Sequence, residues 1–270
     1  MVLLLMATAT RGRRGRLAVV APFAGEAALV CSLYGLWRLA RMLPLTHAEG
    51  AYRRGEQLWD MERALHLPSE LTITNWVLTH DWLAKACNVF YATAHVPALL
   101  AFLVWLFVRH RDRYGSWRNA LAILTGACLL VRFVRVAPPR LLPHLGFVDV
   151  AARYDQSVYG TLGTGVSDQF AAMPSIHVGW SVLIGIAVLR ASTSRWRGLV
   201  LLHPLATNLV VVATANHWWL DGVVAVALLG LAVALDRAAR IVIAAITKPG
   251  GRPEPAPVLD AAPVRTGHIP

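Results

Sequence analysis

The chain has 270 residues, of which 56% are apolar and only 15% charged, and its mean hydropathy is +0.51. A soluble domain usually carries about 45–50% apolar and about 25% charged residues, so a bilayer is the better solvent for most of this chain. The formal net charge of +11 would suit a nucleic-acid binder only on a basic soluble face; here the arginines punctuate apolar blocks, which excludes nucleic acid as the partner.

The predicted fold class is all-α, a polytopic membrane helical bundle with about six spans, built as one domain over residues 17–247. The opening run MVLLLMATATRGRRGR is too short in its apolar part for a secretory signal, and its charges follow that part; residues 1–16 read as a basic cytoplasmic flank. The first span is predicted over Leu17–Leu43. A polar stretch from Thr46 to Leu67 sets Arg53, Arg54, Glu56, Asp60, Glu62 and Arg63 among Leu58, Trp59, Met61 and Leu65, which predicts an amphipathic helix at the interface. Asn75–Ala86 is a second short interfacial piece. The second span is predicted over Cys87–Val108 and the third over Trp117–Ala137. A loop rich in Pro, Gly and Asp covers Pro138–Ala172. Three more spans follow over Pro174–Leu189, Leu199–Ala215 and Leu220–Ile243, and residues 248–270 form a Pro-rich tail without apolar period, expected to be disordered. Cys31, Cys87 and Cys128 have no metal-site spacing and read as buried apolar filler.

Arginines set the orientation. Arg11, Arg13, Arg14 and Arg16 precede span one, Arg109, Arg111, Arg113 and Arg118 surround the link between spans two and three, and Arg190, Arg195 and Arg197 join spans four and five. Arg237, Arg240 and Lys248 lie at or beyond the end of span six. Six spans place all of these on one side, the cytoplasmic one, with both termini. Arg53, Arg54 and Arg63 then lie outside, a conflict that their acidic neighbours weaken.

Two short segments carry chemistry, and both fall on the outer face. In AMPSIHVGW, Ala172 to Trp180, Ser175 suits a helix cap and the free amide groups behind it suit an anion, with His177 in the first turn. In TANHWWLDG, Thr214 to Gly222, His217 and Asp221 are four apart and share a helix face. A carboxylate on one imidazole nitrogen fixes the tautomer and frees the other nitrogen as a nucleophile. A third outer segment, APPRLLP, carries Arg140, with Arg132 and Arg135 before it, cations that suit phosphate oxygens. Ionisable groups beside spans are costly and so point to function.

PSIH followed by H-x-x-x-D at the start of the last core helix resembles the type 2 phosphatidic acid phosphatase superfamily. The run PPRLLP…GFVD…DQFAAMPSIHVGW…TANHWWLDG is similar, more narrowly, to the branch that includes the inositol phosphorylceramide synthases. The resemblance covers Tyr91 to Gly230. It implies a six-helix membrane core and a phosphohistidine mechanism without metal or other cofactor, acting on a lipid phosphate. Carried over by motif, His217 attacks phosphorus, Asp221 orients it, and His177 protonates the leaving oxygen and then helps activate the acceptor. Ser175 and Arg140 hold the phosphate, with Arg132 and Arg135 as further candidates. The superfamily pattern K-x-x-x-x-x-x-R-P has no lysine to match in span three, where Arg132 is the substitute, and Val211 stands where the pattern S-R-x-x-x-x-x-H-x-x-x-D has arginine. The narrower branch also lacks a clean copy of these cations, so the loss favours it.

Other residues read as support. Tyr91 and His95, one turn apart on the outer half of span two, pack behind the catalytic pair. His203 reads as packing toward the cytoplasmic side, and Trp218 and Trp219 as members of an interfacial aromatic belt. Two rival readings are a transporter, which predicts broken helices in matching halves, and a metallohydrolase with His177, His217 and Asp221 as ligands. The expected localisation is the cell membrane, with the site on the extracytoplasmic side.

Overall fold

The computed structural model describes residues 16–41, 50–157 and 169–247, without the side chains of 16–22, 37, 40 and 41. Residues 1–15 of the basic flank and the tail expected over 248–270 lie outside the described residues. Among the described residues all regular elements are helical, and one isolated parallel bridge joins Val136 to Ala171.

Helix α1 (Arg16–Arg41) is followed by α2 (Ala51–Ala64) and α3 (Glu70–Leu78). Ser69 caps α3 by accepting from the Thr72 amide at 3.3 Å, which satisfies one of the open donors of a first turn. The second predicted span is broken: α4 (Asp81–Thr93) and α5 (His95–Arg109) meet at Ala94 with a bend of 47°. Pro97 accounts for the bend, because it has no N–H for the Thr93 carbonyl and its ring crowds that carbonyl.

Helix α6 (Arg111–Val131) ends well before the predicted Ala137. Two 3-10 turns, Pro139–Leu141 and Pro143–Leu145, and a short helix α7 (Val150–Arg153) follow. Helix α8 (Ile176–Ala191) comes next, then a 3-10 turn over Arg197–Leu201 that runs into α9 (Leu202–Ala213), and finally α10 (Trp219–Thr247).

Helices α6, α8 and α10 pack on one another, with α5 against α6 and α8, α9 against α8 and α4, and α1 against α6. Their shared core holds Leu106, Leu124, Leu183, Ala187, Leu229 and Ala232. The face pattern of α10 is informative. Its buried positions are mostly small or polar (Gly222, Ala225, Ala232, Asp236), whereas Val223, Leu231, Leu235, Ile241 and Ile246 are exposed. Large apolar side chains outside and small ones inside suit hydrocarbon as solvent, where close helix packing and not water exclusion holds helices together. Val96, Leu100, Val104 and Val108 give α5 the same exposed stripe.

Among the described residues, α10 is the one helix long and apolar enough by itself to cross a bilayer, and α4 with α5 qualifies as a bent pair. The other apolar stretches, Phe23–Leu36, Ile176–Ala191 and Arg197–Ala213, are shorter. At 1.5 Å per residue the 16 residues of α8 reach about 24 Å. The predicted spans have helical counterparts, several of them shorter than expected.

Candidate active site

Three loops converge at the start of α10. The Arg140 amide donates to the Ala215 carbonyl at 2.9 Å, the Ser175 amide to the Asp221 carbonyl at 3.1 Å, and the Val136 amide to the Phe170 carbonyl at 2.9 Å. The segment before Arg140, the segment before His177 and the turn carrying His217 are thus tied by main-chain bonds, which no side-chain substitution removes.

His217 is held from one edge. Its Nδ1 lies 2.7 Å from the Ala172 carbonyl oxygen and 3.2 Å from Asp221 Oδ2. A carbonyl oxygen only accepts, so Nδ1 carries the proton and Nε2 keeps its lone pair. Asp221 is fully buried and accepts from the Trp218 amide at 2.8 Å through the same oxygen, at the end of α10 where the helix dipole favours a negative charge. Among the described residues, nothing hydrogen-bonds the opposite oxygen, Oδ1.

His177 faces this ring from α8. Ser175 caps α8, accepting from the Val178 amide at 3.4 Å, and so sets His177 in the first turn. The His177 and His217 ring centres are 5.9 Å apart, in edge-to-face orientation. Tyr91 packs at 4.8 Å and His95 at 4.5 Å from the His177 ring. The two imidazoles expected to act together do meet, with the carboxylate behind one of them.

Arg140 is buried beside them. Its Nε donates to Asn216 Oδ1 at 3.0 Å and its Nη1 pairs with Asp149 Oδ2 at 3.2 Å, so the cation is locked to the residue just before His217. Arg132 and Arg135 are buried in the turn that follows α6, where the Arg135 carbonyl accepts from Arg54; they are not helical residues stacked under Arg140. Among the described residues, no group of three His, Cys, Asp or Glu side chains is placed to hold a metal ion.

Helix α2 supports the site in a way that no motif along the chain signals. Glu62 is fully buried, and its Oε1 accepts from the Leu220 amide of α10 at 2.8 Å. The Glu70 carboxyl, also fully buried, pairs with Arg63 at 2.9 Å. Burial first, and then the neighbouring Glu70 carboxyl, push the Glu62 carboxyl up to about 9, with the Leu220 amide pulling the other way. Glu62 caps the helix that carries Asp221. Gly55 lets α2 come this close, since a Cβ there would lie 2.8 Å from the Ala137 carbonyl oxygen. Trp218 is buried and donates to that oxygen at 3.0 Å, so it belongs to the floor of the site and not to an aromatic belt. His203 also departs from expectation: its ring lies 6.2 Å from His95, near the site.

A family profile described as the PAP2 superfamily matches residues 56–235, more than half of the chain. The chain belongs to the PAP2 superfamily. The matched region contains Glu62, Arg140, His177, His217 and Asp221, so the converging loops lie within it. Superfamily membership supports an enzyme of the phosphatase or phosphotransferase type acting on lipid phosphate, and it suggests membrane association. No curated protein and no solved structure matches the chain.

Proposed function

We propose that the protein is an integral membrane, metal-independent lipid-phosphate phosphatase or phosphotransferase that works through a phosphohistidine on His217. The observation that carries this reading is the Nδ1 hydrogen bond to the Ala172 carbonyl, which leaves Nε2 as the lone-pair nitrogen of a ring centred 5.9 Å from that of His177.

In the first step the Nε2 lone pair attacks phosphorus. The bond from phosphorus to the lipid oxygen breaks, its electron pair leaves on that oxygen, and the proton of protonated His177 goes to it. An acid must approach within about 2.6–3.2 Å of the oxygen it protonates, and ring centres 5.9 Å apart admit one phosphoryl centre flanked by both rings. Phosphorylation leaves the His217 ring cationic, and the Asp221 carboxylate stabilises that charge. In the second step an acceptor hydroxyl attacks, its proton goes to His177, and the pair in the N–P bond returns to Nε2. Ser175 and Arg140, with Arg132 and Arg135, are the proposed phosphate holders, and Tyr91 and His95 support His177.

The bundle is proposed to cross the membrane six times, with both termini cytoplasmic and the site extracytoplasmic in the cell membrane; the apolar exterior of α5 and α10 and the arginine-bearing links support this. The PPR…PSIH…H-x-x-x-D run favours transfer of an inositol-phosphate type of head group. The test is turnover of lipid phosphates by purified protein, with and without inositol, for wild type and His217→Ala. Wild type forms phosphate or a phosphorylated alcohol and the variant forms neither; equal turnover in the variant removes the nucleophile assignment, and turnover abolished by strong chelation revives the metal reading.

A further inference from the structure

We propose that His95, with His203 and Thr207 behind it, forms a hydroxyl-binding subsite that holds the acceptor of the second step, water or an alcohol, beside His177. This deepens the phosphohistidine reading and rests on it.

Among the described residues, no hydrogen-bond partner meets four polar atoms deep in the bundle: Nδ1 and Nε2 of His95, Nε2 of His203 and Oγ1 of Thr207. His95 is only 5% exposed and Thr207 is fully buried. In a bundle with an apolar exterior, a buried donor or acceptor without a partner is strongly unfavourable, so such groups mark where a polar ligand binds. They are also contiguous. The His95 ring lies 4.5 Å from His177 on one side and 6.2 Å from His203 on the other, and Thr207 follows His203 by one turn on the same face of α9.

The break between α4 and α5 is what brings His95 here. Pro97 bends the chain by 47°, and the first turn of α5 then presents His95 to the ring of α8. Irregular backbone at membrane depth is tolerated where it lines a cavity or is buried in protein, and this break serves the active site.

Stereochemistry gives the ligand its place. Once the phosphoryl group is on His217 Nε2, the acceptor attacks phosphorus in line with the bond that breaks, from the side away from His217. His177 is the group to receive the proton, and the tilted His95 ring is in contact with it at 4.5 Å. A neutral imidazole offers one donor and one acceptor, which are the two contacts a hydroxyl uses. His95 and His203 orient the acceptor oxygen while its proton passes to His177; no oxidant, reductant or metal enters the balance.

The test separates the two half-reactions on full-length protein in detergent, with phosphatidic acid as substrate. Diacylglycerol formation with enzyme in excess reports the first step. Decay of the phosphoenzyme, in buffer alone or with inositol added, reports the second, and the product, inorganic phosphate or phosphoinositol, tells which hydroxyl occupies the subsite. His95→Phe keeps the ring contact with His177 and Thr207→Val keeps the shape. The expected result for His95→Phe is a second step slowed at least about tenfold more than the first, with phosphoenzyme accumulating. Thr207→Val shows the same split with a smaller loss. Equal losses in both steps mean that His95 only packs His177 and overturn the subsite, as does an unchanged second step. A wild-type protein that turns over lipid phosphate without forming any phosphoenzyme overturns the underlying mechanism as well, and so is told apart from failure of the subsite alone.

Discussion

The two ends of the bundle use polar side chains in opposite ways. Well down α10, Asp236 is satisfied on both oxygens, by Asn119 Nδ2 at 2.8 Å and Arg240 Nε at 2.8 Å. Beside it Arg118 Nη1 reaches both oxygens of Glu26 at 2.7 Å. That network closes on itself and joins α1, α6 and α10. At the other end Asp221 spends one oxygen on His217 and Trp218, and among the described residues neither its second oxygen nor either nitrogen of His95 has a partner. Satisfied polar groups hold helices together, whereas open ones at comparable burial have a ligand to meet.

Substitutions at the two ends should therefore fail differently. The largest effect is expected for His217→Ala, where the loss of a nucleophile removes about 10⁴-fold or more of turnover while the melting temperature in detergent stays near that of wild type; a large fall in melting temperature instead would mean that His217 is chiefly structural. Asp221→Asn should cost less, about 10²-fold in turnover. The Ala172 carbonyl still holds the His217 tautomer in that variant, so what is lost is the charge behind the phosphohistidine. Kinetics of phosphoenzyme formation check this, and a loss as large as that of His217→Ala would show that the carbonyl cannot hold the ring alone.

Glu62 links the two behaviours, because it is structural in its bond to Leu220 yet placed one residue from Asp221. Its carboxyl titrates at about 9 in the folded protein against 4.5 ordinarily. Between these values the folded state holds a proton that the unfolded state has released, so the stability the group contributes is fully present below about 4.5 and is lost as pH rises through about 9. Melting temperature should fall across that window in wild type and fall less steeply in Glu62→Gln, whose amide oxygen still accepts from Leu220. Parallel slopes for the two proteins would assign the pH dependence to other groups. Glu62→Ala, which leaves the Leu220 amide without its carboxylate partner, should lower both stability and turnover. The smallest effect is expected for Asp236→Asn, about 1 kcal/mol of stability with unchanged kinetics; altered turnover there would break the contrast between the ends.

Much of the site was legible along the chain because its parts are local. His217 and Asp221 share a helix face by spacing alone, Ser175 caps the helix that starts at Ile176, and Arg140 sits in a turn marked by prolines. The support was not legible, because it depends on contacts between distant segments. Glu62 and Leu220 are 158 residues apart, and an amphipathic pattern assigns such a glutamate to water. Hydropathy reads His203 as packing away from the site, because it carries no information on the fold that sets this ring 6.2 Å from His95. Trp218 reads as an interfacial tryptophan until its N–H is seen to donate to Ala137. Pro97 was visible in the second predicted span, yet hydropathy averages over a bend. For the same reason the six apolar blocks overstate the length of regular helix in several places.

The central claim is a covalent bond between phosphorus and His217 Nε2. It is tested most directly by quenching the protein in alkali during turnover of a labelled lipid phosphate and locating the label by mass spectrometry and phosphorus NMR. The account predicts phosphate on Nε2 of His217, stable in base and lost in acid, and absent from His217→Ala. Steady turnover with no label on His217, or with the label on another residue, would contradict it.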